Sequence, residues 1–407
     1  AAIDSDTLPW LEDDVVAAFG SRATVEVTTL SNDEVETLVE QAPELKALLD
    51  PQHPAAALTR NLYRLSRLLK VPSATAVRTE AQLADRWWKS GDGAPAMEVR
   101  AAQRIIAELA DRALRGEMTL PTNGDSNARS HLQESLTLKE VRRNQLDFYH
   151  DVLRDWAVGS YIAEDSERLA GYDLTKPVSA RLARGIEFAG RLTLEMGTDC
   201  GAWKVLLANL SPANAHGSWR RQALLALTRT EASRETLEKY SAELLADGAA
   251  LFNELCVAIS AVETQAAVDV LTLADGAKAE LSRSHRINTT GSAFLALLWV
   301  EDHIAEIPVE AIESVAGLVE IQFPFLKSFP RLARPVAEML FGWLRQLDVR
   351  SAAVTIPGVR GNSRSSSDAH ARMVDKLRMM SLLLGEFAPD QLKAYLTEVA
   401  AERAEHK

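Results

Sequence analysis

Cysteine is almost absent: only Cys200 and Cys256 occur in 407 residues. They lie far apart beside apolar neighbours, which offers neither a disulfide framework nor a thiolate metal cluster and suits a reducing compartment. Cytoplasm is the expected location. No apolar run is long enough to span a bilayer, and Ala1-Ala2-Ile3-Asp4-Ser5-Asp6 has neither the basic nor the apolar stretch of an export signal, so no membrane association is expected. Positive charge is also short. Lys and Arg total 45 against 57 Asp and Glu, a formal net charge of −12, which argues against a nucleic-acid or anionic-membrane partner for the whole molecule while leaving room for a local basic patch. The chain has no Gly-x-x-x-x-Gly-Lys-Ser/Thr phosphate loop and no apolar strand ending in Asp-Glu, so it is not expected to hydrolyse ATP alone. His-Glu-x-x-His, Gly-x-Ser-x-Gly and paired-Cys motifs are missing and the eight His are scattered. No catalytic residue and no metal site are expected.

What is present is helix-forming. Hydrophobic residues make up 47% and charged residues 25%, and the abundance of Ala, Leu, Arg and Glu favours a mainly α fold. The length suggests two or three domains or one elongated repeat array. Ala23-Thr24-Val25-Glu26-Val27-Thr28-Thr29-Leu30 alternates as a strand does and stops at Ser31-Asn32-Asp33-Glu34, a capping box that opens a helix. Leu58, Leu62, Leu65 and Leu69 then recur at helical spacing, with Arg60, Arg64 and Arg67 on another face of the same helix. That basic stripe could meet phosphates or a partner, or be an ordinary solvated face, which is the commoner case. Glu80 to Trp88 reads as a helix broken by Gly91-Asp92-Gly93-Ala94-Pro95, and Met97 to Leu114 as a second, ended by Gly116 and Pro121. Trp87 and Trp88 point about 100° apart on a helix, so one of them is expected at an exposed contact.

From about residue 127 the pattern changes to a helix over Ala128–Glu134, a hairpin across Leu136–Phe148 and a helix from His150 onward, the order of a winged helix. Beyond residue 180 apolar helices centred near Phe252, Phe294, Leu340 and Leu382 recur roughly every 40 to 46 residues, the period of HEAT-like helical pairs. Trp203, Trp219, Trp299 and Trp343 suit the cores between such helices. Gly358-Val359-Arg360-Gly361-Asn362-Ser363-Arg364-Ser365-Ser366-Ser367 has nothing apolar to bury beyond one Val and reads as a mobile loop.

The order of strand, Leu30-Ser31-Asn32-Asp33-Glu34, the helix with Arg60-Asn61-Leu62-Tyr63-Arg64-Leu65, the winged-helix pattern and Phe148-Tyr149-His150-Asp151 resembles the downstream part of a STAND-class signalling ATPase of the NACHT and NB-ARC group, over about residues 5 to 160. The resemblance implies residues 1–30 as the remnant of an α/β ATPase core, 31–120 as a helical lid, 121–165 as a winged-helix domain and 166–407 as a HEAT-like superhelix. It also implies Walker motifs upstream of Ala1, and the missing initiating Met fits a boundary inside a longer polypeptide. In the family a Met-His-Asp-like motif sets its His against the β-phosphate of ADP; Tyr149-His150-Asp151 is similar, which makes His150 and Asp151 the nucleotide-sensing candidates. ADP or ATP with Mg would come only with the upstream domain. A protein trigger would bind the repeat domain, with homo-oligomerisation on activation a further state that the family allows. One departure matters: many relatives have Asn-Pro where this chain has Asn61-Leu62, which puts adenine contact by that helix in doubt.

Two other readings stay open. His150 can simply cap the following helix or pack near Trp156, and the whole chain can be a helical-repeat scaffold or adaptor without nucleotide. Winged-helix DNA binding is disfavoured by the acidic balance and by Ala128–Glu134, which is not notably basic.

Overall fold

The computed structural model describes residues 29–53, 55–70, 76–117, 119–121, 125–143, 145–197, 200–266, 286–288, 291–326, 329–348 and 374–405. The strand expected over Ala23–Leu30 falls almost wholly outside them, as do the rest of the expected core remnant and the loop Gly358–Ser367. The chain divides into two compact units, Ala1–Ala76 and Val77–Lys407. That division lies within the residues expected as a helical lid.

In the first unit, helix α1 (Asn32–Gln41) starts at the capping box read from the sequence. Glu34 N–H donates to Ser31 Oγ at 3.3 Å and Ser31 N–H donates to the Glu34 carboxylate at 2.8 Å, so two otherwise unpaired donors are satisfied together. Short helices α2 (Lys46–Leu49), α3 (Ala56–Thr59) and α4 (Leu62–Leu68) follow. Val35, Leu45, Leu49 and Leu65 form the core. The single helix expected to carry Leu58 through Leu69 is interrupted: Asn61 takes an extended backbone and its side chain accepts from Arg64 N–H at 3.0 Å, capping α4. A short amide that bonds the backbone locally competes with helix continuation. The leucine face breaks with it, for Leu58 and Leu65 are buried while Leu62 and Leu69 are exposed.

The second unit opens with α5 (Glu80–Ser90), which ends on Gly91 in the left-handed conformation, and α6 (Val99–Leu114). A three-stranded antiparallel sheet follows, with β1 (Leu120–Pro121), helix α7 (Ser126–Glu134), β2 (Leu138–Arg142) and β3 (Gln145–Phe148). Its order is β1-β3-β2. Leu138 pairs with Phe148 and Leu120 with Leu146, which puts the four buried residues of the sheet on its inner side. The corner between α5 and α6 is tied to this sheet by Thr137 Oγ1, which donates to the Asp92 carboxylate at 2.5 Å.

The rest is helical: α8 (Asp151–Glu164), α9 (Ala180–Met196), α10 (Gly201–Asn209), α11 (Ser218–Arg229), α12 (Ser233–Lys239), α13 (Ser241–Val262), α14 (Ser292–Asp302), α15 (Ile312–Leu326), α16 (Pro330–Asp348), α17 over 374–383 and α18 (Pro389–Glu405). The fold is therefore mainly α with a small sheet, as expected. Strands β4 (Thr264–Ala266) and β5 (Arg286–Asn288) pair antiparallel after α13. Successive helices pack mostly on near neighbours in the chain, α8 on α9, α9 on α11, α11 on α13, α13 on α15, α15 on α16 and α16 on α18.

Among the described residues α13 alone has the length and apolarity of a bilayer span. Its backbone argues otherwise, since Asp247, Gly248 and Ala249 all have positive φ and break the helix. The straight piece after the break, residues 250–262, rises about 20 Å at ~1.5 Å per residue, short of the ~30 Å of a hydrocarbon core. Trp87 and Trp88 correct a second expectation. Both are buried, because α6, α8 and α9 all pack on α5; on α8, Trp156 meets Trp87 edge-on at 5.8 Å and Glu164 accepts from Trp88 Nε1 at 2.9 Å. Trp203, Trp219, Trp299 and Trp343 are buried as expected, and so are Phe252 and Leu340 of the proposed period, whereas Leu382 is half exposed.

Helix α9 is buried on every side, and glycines let its neighbours approach. A Cβ on Gly190 would lie 2.7 Å from the Ala223 carbonyl oxygen and 2.8 Å from Ala226 Cβ, both on α11. Backbone there cannot yield cheaply, so Gly190→Ala should lower unfolding stability by about 1 to 3 kcal/mol. Gly342 on α16 has nothing within 4 Å of the same added atom, so Gly342→Ala should raise stability by up to ~1 kcal/mol through helix propensity. Urea melts of the two variants check the pair, and equal effects would contradict the close-packing account.

Candidate functional site

Where the start of α5 and the helices α8, α9 and α11 converge, the second unit encloses a layer of charge. Glu187, in the middle of α9, accepts from Arg191 Nε at 2.7 Å one turn on and from Arg229 Nη1 at 2.7 Å on α11. Arg229 Nε in turn donates to Glu263 at 2.5 Å. Glu187, Arg191 and Glu263 are all buried, so each charge is held by partners rather than by water. On the adjoining side Glu80 accepts from Trp156 Nε1 at 3.1 Å and from Arg184 Nη2 at 3.4 Å. Asp155 lies 3.7 Å from Arg184 and 3.9 Å from Arg154. Glu195 bridges the ends of three elements, accepting from the hydroxyls of Thr79 and Thr230. The first N–H of α5, on Glu80, donates to Glu231 at 3.3 Å, which places a carboxylate at the positive end of that helix.

Carboxylates outnumber guanidinium groups in this layer, and burial acts on the surplus. Loss of water pushes the Asp155 carboxyl up to about 7; the Arg154 and Arg184 charges oppose that rise, and Asp151 and Glu80 reinforce it. Glu195 is raised as well, again first by burial and against the hydroxyls of Thr230 and Thr79. The arrangement can thus hold and release a proton near neutrality. Among the described residues no three His, Cys, Asp or Glu side chains are grouped so as to hold a metal ion. Sequence reading missed this layer. Its signal was Glu187 and Arg191, four apart, set among Ile186, Phe188 and Leu192 where an amphipathic helix would have its apolar face.

The residues singled out from sequence lie in both units. His150 is the N-cap of α8: its Nδ1 accepts from Val152 N–H at 3.1 Å. A ring nitrogen that accepts carries no proton, so in this arrangement the imidazole hydrogen sits on Nε2. Asp151 does not face the same way chemically, since it is engaged by Arg154 Nη1 at 2.6 Å. In the first unit the arginines do not form one stripe. Arg60 follows α3 and clasps the entry to α1, donating to the Leu30 carbonyl at 3.0 Å and to Asn32 at 2.7 Å. Arg64 is partly buried on α4, and Arg67 is buried with its guanidinium 5.1 Å from the centre of the Tyr63 ring. The helix break at Asn61 separates Arg60 from the other two, and the sequence spacing alone could not reveal it.

No family model matches the chain, and none of the curated proteins does.

The pH dependence of stability follows from the raised carboxyls. An acid whose folded value exceeds the unfolded one keeps its proton longer in the native state, so the native protein binds more protons across that interval. Stability contributed by Asp155 is therefore complete below about pH 4 and is lost as pH rises toward 7. Asp155→Asn, which keeps shape but cannot ionise, should gain on the order of 2 to 4 kcal/mol relative to the parent between pH 4 and pH 8. Parallel denaturation curves for the two proteins across that range would contradict it.

Proposed function

We propose that this chain is the regulatory and sensor portion of a STAND-type nucleotide-dependent switch, coupling a nucleotide state to recognition of a protein partner. The observation that carries the reading is the small sheet: β1-β3-β2 order, a helix between β1 and β2, and a hairpin that delivers His150 to the start of α8. That order resembles a winged helix and supports the reading, with the departure that one described helix rather than two separates its first two strands. The near-neighbour packing from α8 to α18 supports a HEAT-like superhelix as the partner-binding element. Nucleotide binding would need an upstream P-loop module, because this chain has no phosphate loop of its own. What His150 would contribute is the Nε2 proton, on the ring nitrogen opposite the capping bond, donated to a phosphate oxygen.

The capping bond itself favours a second reading, a scaffold in which His150 is only a helix start. Two substitutions separate them in the protein that includes its nucleotide module. His150→Asn supplies a good N-cap but no ring N–H, whereas His150→Ala removes both. In the sensor reading ADP affinity falls about tenfold or more in both variants, for a lost charge-assisted bond of ~1.5 to 3 kcal/mol; only the Ala variant also loses thermal stability. Wild-type ADP affinity in the Asn variant would sink the sensor role, and absence of any nucleotide binding would leave the scaffold.

A further inference from the structure

A cavity of about 280 Å³ lies between the end of α6, strand β3, and the first turns of α8 and α9. Its walls combine two chemistries, the apolar side chains of Leu109, Ala113, Phe148 and Leu182 and the polar ones of Arg154, Arg181 and Ser179. Arg154 is the informative residue: it is more than nine-tenths buried, and its Nε–H has no acceptor although Nη1 is bonded to Asp151. A buried guanidinium N–H without a partner costs free energy that a ligand oxygen would recover. A second cationic feature sits beside it. Helix α9 starts at Ser179 with no side-chain cap, so a 17-residue helix directs its positive end at the same wall.

We infer that this cavity binds a small organic monocarboxylate, its carboxylate held by Arg154, Arg181 and the start of α9 and its apolar body against Leu109, Phe148 and Leu182. The charge count disfavours a second negative charge on the ligand. Asp147 and Glu117 also line the space, each already held, Asp147 by Arg181 at 3.4 Å and by the Phe148 N–H at 2.8 Å, and Glu117 by Arg112 at 2.6 Å. They balance the two arginines, so a dianion such as phosphate would meet repulsion and would also leave the apolar wall against water. At ~30 Å³ per water-sized group the space holds about nine such groups, the size of benzoate or hexanoate. This site does not depend on the nucleotide reading, because it draws on no residue upstream of Leu109. Occupancy has one mechanical consequence, since the ligand and Asp151 would share one guanidinium and the first turn of α8 carries both Asp151 and the cap.

Titration calorimetry on the full chain with benzoate, benzyl alcohol and inorganic phosphate tests the site, with circular dichroism to verify folding. Benzoate should bind the parent, with benzyl alcohol and phosphate at least about tenfold weaker. Arg181→Gln, at a partly exposed position, should weaken benzoate about tenfold, and Ala113→Phe should fill the cavity and abolish binding. The proposal is overturned by no benzoate binding to the parent, by equal binding of the alcohol or of phosphate, or by unchanged affinity in a folded Arg181→Gln. If Ala113→Phe fails to fold, the Arg181 variant and the alcohol comparison decide alone.

Discussion

Burial of α9 on all sides is the constraint around which the second unit is arranged. From Gly185 to Leu194 every residue is buried, yet the run includes Glu187 and Arg191. A helix enclosed by α5, α8, α10 and α11 can keep such charges only if its neighbours supply partners. Arg229 on α11 does so for Glu187, and the same contact fixes the axial position of α11, where Gly190 already brings the two backbones close. Packing and ion pairing thus demand the same register. A slide of α11 by one turn would strand Arg229 and drive Ala226 away from Gly190.

Arg154 joins three features that sequence would treat as separate. Its guanidinium holds Asp151 next to the His150 cap, lies within 3.9 Å of Asp155 in the charged layer and lines the cavity behind β3. A change at any one of these places alters the electrostatic surroundings of the others, because a single buried cation is shared. Coupling through such a residue is a physical route from a bound anion, or from a proton on Asp155, to the first turn of α8. The route needs no motion larger than a change of partner by one side chain.

Local chemistry was legible from sequence. Ser31 and Glu34 announced the start of α1, Gly91 ended α5, the hairpin across Leu136–Phe148 followed its alternation, and the large aromatics of the later helices are in the core. Failures arose where tertiary context overrode spacing. Asn61 had no more helix-breaking character in the sequence than many interior residues, and only its side-chain oxygen, accepting from Arg64 N–H, divides the arginines. Trp87 and Trp88 were read on a helix with one buried face, whereas α5 has two. Beyond the i,i+4 pair Glu187 and Arg191, the charged layer is made of pairs distant in sequence, such as Glu187 with Arg229 and Glu80 with Arg184, which periodicity cannot connect. A His followed by Asp before a helix is compatible with both a cap and a sensor, and the structure shows the cap.

Buried Glu187 on α9 and partly buried Arg229 on α11 act as one unit. A double-mutant cycle with Glu187→Gln, Arg229→Met and the double variant measures that coupling by equilibrium unfolding at neutral pH. Each single change should cost on the order of 1.5 to 3 kcal/mol, because it removes one charge-assisted partner from a network in which Glu187 keeps Arg191 and Arg229 keeps Glu263, and the double variant should cost well under the sum, giving a coupling energy of at least ~1 kcal/mol. Additive losses within ~0.5 kcal/mol would show that the pair does not hold α9 to α11, and the central claim would fail.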